Sequence, residues 1–227
     1  MTDDHVTSLD QTELIKKLKS IGVDLWGGKA QDDAPEAAPP AETAADKKRP
    51  SFEKASFANR RAIGIDNLWK TADETIDWTD ALAHGSPTDG LTGRKLWNFY
   101  HKQAARVLAG DLDAYTEVLK AANPLGELTD FAEGISIRAV SADRLESTFT
   151  CKPDLMKEKR ERYLSAMAVR IARDLFACLP VSEVTVRGEM EGHTVFEVSF
   201  RRLQLLHLNF MFLDPVALCR ECGATFS

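Results

Sequence analysis

The sequence predicts an α+β fold, and three observations carry the prediction. Between Tyr163 and Leu179 apolar residues recur every three or four positions, the spacing of an amphipathic helix. On either side, at 134–151 and 181–201, the period falls to two, the spacing of half-buried strands. Upstream, residues 56–133 keep the helical period but are cut by Gly85-Ser86-Pro87, Asp89-Gly90 and Asn123-Pro124. The expected architecture is an isolated N-terminal helix, a linker, a helical region, and then a ββαββ antiparallel sheet with one helix packed on a face.

Residues 1–28 hold the isolated helix. Asp10 is its N-cap with Glu13 three positions on, Leu14, Ile15, Leu18 and Ile21 form an apolar stripe, and Gly22 is the stop. A helix this short is marginal in water unless its stripe is buried, either on its own domain or in the groove of a protein partner. Residues 29–55 follow as a flexible linker: from 29 to 50 no apolar residue exceeds Ala, and Ala, Pro and charged side chains dominate. Its Lys47-Lys48-Arg49 cluster is short and has acidic neighbours, so it reads as solvated.

In the helical region, Leu68 and Trp69 belong to one expected helix, and the segment Trp78–Leu82 extends it or forms a second. Leu96, Trp97, Tyr100, Ala104, Val107 and Leu108 mark a helix from Gly93 or Arg94 to Leu108. Asp111 caps the next, which carries Leu112, Tyr115, Val118 and Leu119 to Lys120. Aromatic rings at this spacing read as core.

From Gly134, Ile135 and Ile137 alternate with Ser136 and Arg138. Leu145, Ser147, Phe149 and Cys151 then alternate with Arg144, Glu146, Thr148 and Thr150, which makes a hairpin. Leu164, Met167, Ala168, Ile171, Leu175, Cys178 and Leu179 form the stripe of the following helix; Arg162, Arg170 and Arg173 fall outside it, and Pro180 ends it. A second hairpin pairs a strand with Val184 and Val186 to one with Phe196, Val198 and Phe200. Leu203–Leu213 is dense in Leu and Phe and is expected to be buried; exposure would mark a subunit or partner interface.

The 227 residues carry a net charge of −6, about −7 over 1–133 and about +1 over 134–227, which gives no general attraction to nucleic acid. No segment approaches a membrane span, the N-terminus lacks the pattern of a signal peptide, and four cysteines make no disulfide scaffold, so a cytoplasmic protein is expected. Phosphate-loop, G-x-S-x-G, H-E-x-x-H and dinucleotide motifs are absent, and Glu197 lacks the lysine two places on that a metal-dependent nuclease would use. Arg138, Arg144, Arg187 and Arg201 mark a face for nucleic acid, but Glu146 and Glu197 share it and no ring offers stacking.

The most specific motif is Cys219-Arg220-Glu221-Cys222-Gly223, which resembles the knuckle of zinc ribbons. Cys219 and Cys222 supply half of a zinc site, to be completed by Cys151, Cys178, His207, Asp214 or a second copy; a reversible disulfide or two ordinary thiols are the other readings. The expected function is a non-catalytic interaction or adaptor protein. Its α+β body binds a macromolecular partner or itself, as a homo-oligomer, while the tethered helix docks on another. The alternative is a zinc-dependent nucleic-acid-binding or nuclease-like module.

Overall fold

A computed structural model describes residues 64–88 and 92–227. The helix 1–28 with Leu14, Ile15, Leu18 and Ile21, the linker 29–55 and the start of the helical region lie outside the described residues.

Leu68 and Trp69 sit in a 3₁₀ turn, Ile65–Lys70, rather than in an α-helix. Residues 71–75 carry no regular structure, because this stretch bonds to side chains of a distant helix instead of to itself. Among the described residues the first α-helix is α1 (Trp78–Ala83), started by Asp77, whose carboxylate accepts from the backbone N–H of Thr79 and Asp80. Helix α2 (Arg94–Leu108) buries Trp97, Tyr100, Ala104 and Val107 of its expected stripe, while Leu96 and Leu108 at its ends stand exposed. Gly110 has φ +77°, and a Cβ there would come within 2.5 Å of the Ala142 Cβ, so the position needs glycine for both conformation and space. Asp111 then caps α3 (Leu112–Ala122), and left-handed Asn123 closes it. The Tyr115 hydroxyl donates to the Ala142 carbonyl at 2.9 Å, fastening α3 to the first strand turn.

Strands β1 (Ala132–Ser141) and β2 (Arg144–Cys151) pair antiparallel, as do β3 (Glu183–Met190) and β4 (His193–Arg201). Between the hairpins runs helix α4 (Pro153–Cys178). The sheet differs from the antiparallel expectation: it is mixed, in order β1-β2-β3-β4-β5, because β2 pairs parallel with β3. A helix returning the chain to the same end of the sheet makes parallel pairing the geometry available to adjacent strands. The fifth strand, β5 (Thr225–Phe226), is two residues long and pairs with β4.

Helix α4 begins with Pro153 at its first turn and kinks at Lys159, where φ/ψ leave the helical region. From Tyr163 to Leu179 nearly every residue is buried, Arg170 and Asp174 included. The apolar stripe packs on the sheet, and residues 64–78 together with a short helix, α6 (Pro215–Glu221), cover other faces of the helix. At the sheet contact Gly188 lets Phe149 and Leu164 close in: a Cβ would meet them at 3.0 and 3.2 Å. The helix stops at Cys178, with Leu179 extended before Pro180, where the proline places the stop. Buried side chains from Leu68 to Cys219 form one continuous core. No helix among the described residues is long and apolar enough to cross a membrane.

Candidate interaction surface

After β4 the chain makes a four-residue helix, α5 (Arg202–Leu205), and then turns through 206–214 to α6. Arg202 anchors the start. Its guanidinium donates to the carbonyls of Val181 (2.7 Å), Phe176 (2.7 Å) and Leu179 (2.5 Å) and lies over the Phe176 ring. These carbonyls include the last acceptors of α4, so the cation sits at the negative end of a helix dipole. Desolvation pushes the Arg202 pKa below its ordinary value. Midway, the Arg173 guanidinium stacks 3.7 Å from the Phe210 ring centre while donating to Trp69 O (2.5 Å) and Thr71 O (3.3 Å). At the far end Asp214 caps α6 by accepting from Val216 N–H.

The segment so fastened was expected to be buried, and the structure corrects that. Leu205 is buried, but Leu203 is 75%, Leu206 59%, Met211 61% and Phe212 90% exposed. The reason is one of layers: the segment leaves the sheet at its last long strand, and α4, already enclosed, has only its C-terminal end left to offer. An apolar run records the surface that gains from burial, not whether a layer remains to cover it. Beside the ridge lies a groove of ≈ 210 Å³ lined by Ala72, Arg173, Phe176, Leu205, Leu206 and Phe210. A second groove, of ≈ 420 Å³, shares Thr75, Phe176 and Arg202 with it and extends to Trp78, Leu108 and Pro180.

On the opposite side of the sheet the four arginines singled out for nucleic acid occupy one face. Arg138 donates to Glu146 at 2.6 Å, Arg144 at 3.0 Å and Arg187 at 3.1 Å, and Arg187 also holds Glu197 at 2.5 Å. Arg201 lies at the end of β4, exposed. The Arg138 hydrogen bond, followed by that of Arg187, holds the Glu146 carboxyl below its usual range against the effect of burial. Three cations thus converge on one carboxylate. The Thr185 and Ser199 hydroxyls pair beside it at 2.8 Å.

Cys219 is buried in α6, its thiol 3.9 Å from the Ser165 carbonyl of α4, and burial pushes it up to about 12. Cys222 is half-buried and is also raised by burial. Among the described residues no group of three or more His, Cys, Asp or Glu side chains is placed to hold a metal ion. A zinc site on Cys219 and Cys222 would need the Cys219 thiol to leave its core contact and further ligands from elsewhere.

One polar cluster escapes a reading by sequence alone. Arg170 and Asp174 are buried on α4, Nε to Oδ2 at 2.5 Å. Asp174 accepts from the Asp73 backbone N–H at 2.8 Å, and Arg170 reaches the Thr71 hydroxyl (2.5 Å), Glu127 (3.5 Å) and Asp73 (3.8 Å). Burial pushes the Asp174 carboxyl up to about 7 against the pull of Arg170. The four-residue spacing is that of a helical ion pair, but nothing in the sequence marks the pair as buried or as the fastening of 71–73 across α4. No family model, no curated protein and no solved structure matches the chain.

Proposed function

We propose that the protein is a non-catalytic interaction protein whose folded body binds a protein partner through the ridge of Leu203, Leu206, Met211 and Phe212. In this reading the helix of 1–28 docks on another partner. One observation carries the proposal: four large apolar side chains stand out in water on a segment that Arg202, Arg173 and Asp214 fasten in place. Burying a side chain of this size is worth about 1.5–3 kcal/mol, so covering several supplies a strong drive to associate. A prearranged ridge also loses little conformational entropy on binding. The nucleic-acid alternative has weaker support, since Arg138, Arg144 and Arg187 converge on Glu146.

Co-purification with the intact chain, with a Leu203→Ser/Phe212→Ser double variant and with residues 1–28 deleted tests the reading. The ridge variant keeps the circular-dichroism spectrum and loses one set of partners by tenfold or more; the deletion loses another. Partner recovery unchanged in the ridge variant would remove the ridge from the function.

A further inference from the structure

We infer that the ridge takes a second copy of this chain, with Phe212 of each copy entering the ≈ 210 Å³ groove of the other about a twofold axis. The inference rests on the interaction reading above and names the partner. One feature favours a copy over a foreign surface, and two more are met by a copy.

Knob and groove belong to one patch. Phe212 is 90% exposed, while Phe210, two residues earlier, lines the groove together with Leu205, Leu206, Phe176 and Ala72. An isologous contact demands this arrangement, because each copy must present both halves of the contact on the same surface. Leu206 belongs to both, as an exposed side chain and as groove wall.

Size agrees as well. A cavity of about 150 Å³ lined by aliphatic and aromatic groups admits a benzene-sized ring, and the groove offers ≈ 210 Å³. Arg173 lines it, stacked 3.7 Å from Phe210, so an entering ring meets a cation at the wall.

Charge is the third feature. From Leu203 to Leu213 there is no Asp, Glu, Lys or Arg, and His207 is the one titratable side chain. The groove wall carries both signs, Arg173 and Arg202 with Asp73 beside them, so the patch as a whole sets up no one-signed field that would repel its own copy. A standard interface covers roughly 800 Å² per partner, more than one ring provides, so Leu203, Leu206 and Met211 must pack around the axis to complete it.

Sedimentation velocity of the full chain over a concentration series, with Phe212→Ser and Ala72→Trp as variants, tests the inference. The expected result is reversible dimerisation of the unaltered chain, weakened tenfold or more by either variant. Phe212 is on the surface and Ala72 is half-buried in the groove wall, so unchanged circular dichroism is required of both variants. A chain that stays monomeric up to about 100 µM, where even weak assemblies form, overturns the second copy as partner, and so does a dimer indifferent to both variants. A photo-crosslinking residue at 212 separates this failure from that of the wider reading. A crosslink to the groove of another copy supports the dimer. A crosslink in cells to a different protein overturns the dimer and leaves the interaction surface standing, and no crosslink to any protein removes both.

Discussion

Asp174 and Glu146 are both carboxylates held by arginine, and they respond to pH in opposite directions. Asp174 is buried beside Arg170, Arg173, Asp73 and Cys178, with Glu127 held to Arg170, and burial raises its pKa to about 7. An unfolded aspartate titrates near 4, so between about pH 4 and 7 the folded state binds a proton that the unfolded state releases. Its contribution to stability is therefore largest in acid and falls as pH rises towards 7. Asp174→Asn is expected to flatten the urea-unfolding free energy over that window, while Asp174→Ala, which leaves Arg170 buried beside a cavity, costs about 3–5 kcal/mol. Glu146 has a lowered pKa, so the stability it contributes at neutral pH is lost as pH falls through its folded value. Glu146→Gln removes the anion on which Arg138, Arg144 and Arg187 converge. The expected outcome is a protein less stable by about 1–3 kcal/mol at pH 7 and retained longer on a heparin column, with the retention abolished by salt.

Among the elements, α4 decides most of the packing. Its stripe was legible because Leu164, Ile171 and Leu175 repeat at helical spacing, and its end because Pro180 places the stop there. Its other faces were not legible: Arg170 and Arg173 fall outside the apolar stripe, yet they reach Thr71, Trp69 O and Phe210, partners about 40 to 100 residues away in the chain. Periodicity reports which residues gain from leaving water, and it is silent about a polar residue whose partner comes from another element. Where β3 crosses this helix, Gly188→Val would press on Phe149 and Leu164. It is expected to lower stability by about 1–3 kcal/mol in chemical denaturation with little change in secondary structure.

At the scale of the whole molecule, the sequence by itself determined the α+β class, the two hairpins and the helix between them. Each is a local matter of period, cap and turn: Asp111 and Asn123 bound one helix, and alternation from Ile135 to Cys151 makes one hairpin. Only the tertiary structure decided that the hairpins join through a parallel β2–β3 pair, that Glu146 gathers three arginines from three strands, and that Cys219 points into the core. It decided too that Leu203, Leu206, Met211 and Phe212 stand exposed. The physical reason is common to all four. Strand order, ion pairing and burial depend on which surfaces remain uncovered once every layer is in place, and that is a property of the assembled chain, not of any window within it.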